Sequence, residues 1–152
     1  MVGSKMPNFI PWYGPVPGMV TVGLAIGMAE HNDIGEQGEQ LACDYLSTRG
    51  YNILERNWRA GHDELDIVAE DAHDLVIVEV KTRTTDRFGG PEEAVTRTKQ
   101  RKLFRATEAY LDTRPTERSV RFDVVSIVLQ RGGPRIVHII DAFHHTPDDP
   151  SR

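Results

Sequence analysis

The sequence predicts an α/β domain, a mixed β-sheet flanked by α-helices. Three observations point there. Two stretches with helical spacing of apolar residues alternate with five strand-like runs in the order α-β-β-β-α-β-β. The length, 152 residues, suits one hydrophobic core. A single cysteine, Cys43, and the lack of any internal repeat exclude disulfide scaffolds, cysteine-rich zinc sites and repeat architectures.

The first helix starts near Asn32-Asp33, either of which can cap it, and runs to about Arg49, where Gly50 terminates it. Ile34, Leu41, Tyr45 and Leu46 form its apolar face. Tyr51 to Arg59 reads as a strand, followed by a turn at Gly61. Glu64 to Glu70 alternates apolar and polar residues, Asp71 to Asp74 is a turn, and Leu75 to Thr82 is the most strand-like run in the chain. A loop from Arg83 to Gly90 leads to Pro91, well placed in the first turn of a second helix that ends near Asp112. Val120 to Leu129 and Arg135 to Ile140 are the last strands, joined by the Arg131-Gly132-Gly133-Pro134 turn.

Residues 1–31 are expected to be a poorly ordered extension, 32–145 the domain and 146–152 a flexible tail. No charge occurs from Met6 to Ala29, but the apolar run Val20 to Ala29 is too short to span a bilayer, and proline and glycine punctuate the segment. Met28 is the preferred translation start, with a signal peptide as the alternative. No membrane association is expected, and a reducing cytoplasm is the simplest setting.

The net charge of −5 argues against a generic nucleic-acid binder, yet the charge is unevenly placed. From Lys81 to Arg105 eight basic residues face three acids, a local net of +5 that leaves −10 for the rest. On charge alone this is a solvated helix face.

The chemistry lies between two strands. If Asp71 sits opposite Asp74, the hairpin places Asp66 opposite Glu79 and Glu64 opposite Lys81, all on one face. Leu65, Ile67, Val76, Val78 and Val80 then form the core face. Two carboxylates so placed lie about 5 Å apart at Cβ and repel by roughly 3 kcal/mol at an effective dielectric of about 20. A divalent cation reverses that sign, and Mg²⁺ is commonly held by one or two carboxylates with waters and substrate phosphates. Lys81 is placed to orient or activate a water and to stabilise a charged transition state. The alternative on spacing alone is a salt-bridge ladder, with Lys81 bonding Glu64 or Glu79. Context favours the metal, because charges in so apolar a strand need a reason.

Glu79-Val80-Lys81, with Asp66 on the preceding strand, resembles the PD-(D/E)xK motif of restriction-endonuclease-like folds. More closely, the chain resembles the YraN-like family of bacterial proteins, itself similar to archaeal Holliday-junction resolvases. The matching residues are Gly35-Glu36-Gln37-Gly38-Glu39 with Ala42, Tyr45 and Leu46; Arg56-Asn57; Glu64 to Val68; Ile77 to Lys81 with Arg83; Lys99; and Arg121 to Val125. The resemblance runs from about Ile34 to Phe143. It implies a restriction-endonuclease-like fold and nuclease activity, with Asp66 and Glu79 as metal ligands and Lys81 as catalytic lysine. It also implies that Glu39, on the first helix, reaches the metal. The motif's proline is absent, since Asp63-Glu64-Leu65 precedes Asp66.

The resulting expectation is an Mg²⁺- or Mn²⁺-dependent endonuclease acting on DNA, including branched DNA, with Arg83, Lys99, Lys102 and Arg105 as phosphate contacts. A nucleic-acid-binding module without turnover is the alternative, and a protein scaffold the plainest one. A homodimer is compatible with the resolvase likeness. Glu64 is expected to partner Lys81, and Asp123 to pair with a nearby arginine.

Overall fold

A computed structural model describes residues 8–12, 31–84 and 95–145. The elements are β1 (Asn8–Trp12), α1 (His31–Thr48), β2 (Asn52–Ala60), β3 (Asp63–Glu70), β4 (Asp74–Arg83), α2 (Arg97–Thr113), β5 (Ser119–Val128) and β6 (Arg135–Phe143). The strands form one mixed sheet in the order β1-β6-β5-β4-β3-β2. Only β4 and β5 are parallel; the other neighbours are antiparallel. A parallel pair needs a long crossover, and α2 lies in that connection. The architecture is α/β and compatible with the restriction-endonuclease-like fold.

Strand β4 is central, and its neighbouring residues face opposite ways. Val76 and Val78 pack with Ala42, Tyr45 and Leu46 of α1, whereas Leu75 and Ile77 pack with Leu103, Ala106 and Tyr110 of α2. The helices therefore cover opposite faces of the sheet. This corrects the expectation of a single core face. The unbroken apolar run Leu75-Val76-Ile77-Val78 is what a strand buried on both sides requires. Leu65 is corrected with it: it joins the α2-side cluster, while Ile67 belongs to the α1 side.

Local chemistry sets the element ends. Gly50, at φ 86°, ends α1, and Tyr51 N–H donates to Leu46 O at 3.1 Å across the cap. Helix α2 begins at Arg97, later than Pro91, because the Thr96 side chain caps it by accepting from Lys99 N. Residues 85–94, including most of the expected loop and Pro91, lie outside the described residues. Asn8–Trp12 falls within the stretch expected to be a loose extension, yet it pairs with β6 as an edge strand, a position that tolerates Pro11.

Candidate metal centre

Four pairs fix the β3–β4 register: Ile67↔Val78, Val68↔Ile77, Ala69↔Val76 and Glu70↔Leu75. This is the predicted hairpin register, and continuing it brings Asp66 to Glu79. Val80 N–H then donates to Asp66 Oδ2 at 2.8 Å, a side chain serving where strand pairing gives out. The Asp66 carboxylate is thereby fixed at the junction of the two strands.

Glu79 is 2% exposed and meets two ammonium groups. Lys81 Nζ lies 2.8 Å from Oε1, and Lys99 Nζ lies 3.0 Å from Oε2. Oε2 is buried, and Lys99 is its ionic neighbour. Burial, then the charge of Glu79, push the Asp66 carboxyl up to about 7; the Val80 N–H and Lys99 only partly oppose this. Desolvation pulls Lys99 down, but Glu79 and Asp66 more than offset it, and the ammonium is held above its ordinary range.

Glu39 sits one residue beyond Gly38, where α1 meets β4. A Cβ on Gly38 would stand 1.7 Å from Thr82 Oγ1, so only glycine permits this approach of helix to strand. Glu39 is close enough for its charge to raise Asp66, yet its Oε2 accepts from Asn57 Nδ2 at 2.8 Å. Asn57 holds a left-handed φ of 49° on β2. Among the described residues, no three His, Cys, Asp or Glu side chains converge as a metal-binding group. Asp66 and Glu79 stand as a pair, with Glu39 turned to Asn57.

The other predicted residues divide. Lys99, read as a surface phosphate contact, is half-buried against Glu79. Its position has a sequence signal: Arg97 and Lys99 occupy the first turn of α2, which holds no acid, although a helix N-terminus disfavours cations unless an anion faces it. Lys102 is exposed. Arg105 is exposed too, but it grips Asp63 in a two-pronged pair at 3.0 and 3.1 Å. Arg83 is half-buried at the end of β4, where its carbonyl accepts from Leu129 N at 2.8 Å. Glu64, expected to partner Lys81, instead pairs with Arg59 at 3.2 Å.

Asp123 pairs with Arg121 as expected, within a larger network that the sequence did not suggest. Arg121 also binds Asp71, Asp74 and the Tyr51 hydroxyl, and Asp123 accepts from His138 Nε2 at 2.9 Å.

A mixed sheet covered by a helix on each face defines the class: an α/β protein of a kind compatible with the restriction-endonuclease-like fold. The chain belongs to Uncharacterised protein family UPF0102, the YraN-like family, whose profile matches residues 38–127, the span holding Glu39, Asp66, Glu79, Lys81 and Lys99. It is 47% identical to the UPF0102 protein of Phocaeicola vulgatus and 49% identical to that of Bacteroides thetaiotaomicron, each over 77% of this chain and 97% of the relative. A structure of Pyrococcus furiosus SfsA in complex with Ca²⁺ aligns at 13% identity and a TM-score of 0.30, over 72% of this chain and 63% of that one, a likeness too loose to bear on function. No helix among the described residues is long and apolar enough to cross a membrane.

Proposed function

We propose that the chain is a divalent-metal-dependent nuclease that hydrolyses DNA phosphodiester bonds. The observation that carries this reading is the pair Asp66–Glu79: a half-buried acid pushed up to about 7 beside a fully buried one. The all-oxygen donors of the pair suit Mg²⁺ or Mn²⁺, which keep much of their coordination for water and substrate. Asp66 and Glu79 would hold the ion, with Glu39 the third acid within reach once it leaves Asn57. A bound cation supplies Lewis-acid stabilisation and a more acidic water. Lys81, anchored at Glu79 Oε1, keeps its ammonium beside the reacting phosphate, where it orients the attacking water and stabilises the charge that develops. The Val80 N–H keeps one Asp66 oxygen occupied and so directs the other into the site. Lys102 and Arg105, exposed along α2, supply sequence-independent phosphate contacts.

The test is incubation with duplex, single-stranded and four-way-junction DNA in Mg²⁺, Mn²⁺ or chelator. Cleavage is expected in metal only, lost in Asp66→Ala and reduced by about 10²–10³-fold in Lys81→Ala. Product that survives Asp66→Ala, or none on any substrate, contradicts the proposal. A second reading has its own support, because each Glu79 oxygen has a lysine neighbour, as in a structural ion-pair cluster. It is a nucleic-acid-binding module without turnover. It predicts salt-sensitive DNA binding, weakened in Lys102→Ala, with no metal-dependent product.

A further inference from the structure

We infer that Lys99 and a divalent cation compete for one oxygen of Glu79, so that metal binding frees Lys99 for a phosphate of the nucleic acid. The inference rests on the metal-dependent reading above. The two lysines at Glu79 are not equivalent. Lys81 lies two residues along the same strand, 2.8 Å from Oε1, and stays beside Glu79 whatever the helices do. Lys99 comes from another element, the first turn of α2, and approaches Oε2 at 3.0 Å. That oxygen is buried, and the Lys99 contact is the longer of the two and comes from a separate element, so it is the easier to displace. A magnesium ion would sit about 2.0–2.1 Å from the same oxygen with a shell of waters. An ammonium at 3.0 Å stands in the space of that shell and repels the ion.

The surroundings of Lys99 say where it goes. The first turn of α2 carries Arg97 and Lys99 and no acid, so two cations add to the positive end of the helix dipole. Glu79 is the anion that offsets this arrangement. When a metal takes Glu79, the Lys99 ammonium and the helix N-terminus need another anion, and a phosphate lying against the metal meets that need. Metal and phosphate binding are then positively coupled through one side chain, reciprocally.

Calorimetric titration of Mn²⁺ into the whole protein tests this. Glu79→Gln should abolish the binding heat, and Lys99→Met should bind Mn²⁺ about tenfold more tightly than wild type. Lys99→Arg, which keeps the competing cation, should gain no such affinity, and Arg131→Met, at an exposed position on the β5–β6 turn, should match wild type. In parallel, wild type should bind duplex DNA several-fold more tightly in Ca²⁺ than in chelator, and Lys99→Met should lose that difference. Should Lys99→Met fail to fold, Lys99→Gln carries the same prediction. Mn²⁺ binding that disappears in Glu79→Gln but is unchanged or weaker in Lys99→Met overturns the competition and leaves the metal site standing. No Mn²⁺ binding in either wild type or Lys99→Met overturns the competition together with the metal-dependent reading.

Discussion

Two aspartates, the half-buried Asp66 on β3 and the fully buried Asp123 on β5, are driven in opposite directions. Burial alone raises both carboxyls, and what separates them is their supply of donors. Asp123, fully buried, receives Arg121 through both oxygens, His138 Nε2 and the Asp141 N–H, and these bonds hold it below the usual carboxylate range. Asp66 has the Val80 N–H, a second acid beside it and a lysine shared with that acid, and it is pushed up to about 7. The Arg121 cluster gives both Asp123 oxygens a guanidinium donor and fastens the β3–β4 turn to β5. At the Asp66–Glu79 pair both lysines lie on Glu79, and Asp66 keeps one hydrogen-bond donor, the Val80 N–H. The two carboxyls differ in their hydrogen-bond donors, and an under-supplied, perturbed carboxyl is what the proposed site requires.

The largest expected effect comes from breaking the satisfied cluster. Arg121→Met strands Asp123 and removes the partner of Asp71 and Asp74, so unfolding in urea should show a loss of about 3–5 kcal/mol. Next is a pair with opposite signs of pH dependence. Asp71 is subject to burial, but the Asp74 and His73 N–H groups and Arg121 bring its pKa down to about 2. Its contribution is therefore complete above the ordinary value of 3.8 and is lost as pH falls towards 2. Asp71→Asn should cost roughly 2 kcal/mol at pH 7, and the gap to wild type should close in acid. Asp66 runs the other way. Its ionised form penalises the folded state, and the penalty grows as pH rises from 3.8 to about 7. In chelator at pH 8, Asp66→Asn should stabilise the protein by about 2 kcal/mol, with the gain gone near pH 4. Equal pH profiles for the two variants would erase the contrast. The smallest effect belongs to Arg105→Ala, where an exposed ion pair with Asp63 is worth less than about 1 kcal/mol, so any change in DNA binding can be read without a folding defect.

The site strands were the most legible part of the chain, because one short turn fixes a hairpin register and alternation then places every side chain. Asp71 does this visibly: its Oδ1 accepts from His73 N and Asp74 N, both at 2.8 Å, and its own N–H reaches Asp74 O. Leu65 escaped the pattern because the pairing of β3 with β4 ends at Ile67, and past that point period-two reasoning loses its partner strand. The start of α2 was misplaced because proline and a threonine cap are competing start signals, and the Thr96 cap prevails. The Arg121 network joins residues up to 70 positions apart, from Tyr51 to Arg121, which no local pattern encodes. Lys99 was found as a residue but misjudged in place: a lysine on a basic helix reads as solvated, and only the packing of α2 on the sheet turns it to Glu79.

Anomalous diffraction from a crystal soaked in Mn²⁺ addresses the acid pair most directly. A single strong peak bridging the Asp66 and Glu79 carboxylates, absent from crystals of Glu79→Gln, is the expected result. An Mn²⁺-soaked crystal with no peak there, and both lysines still seated on Glu79, would contradict it.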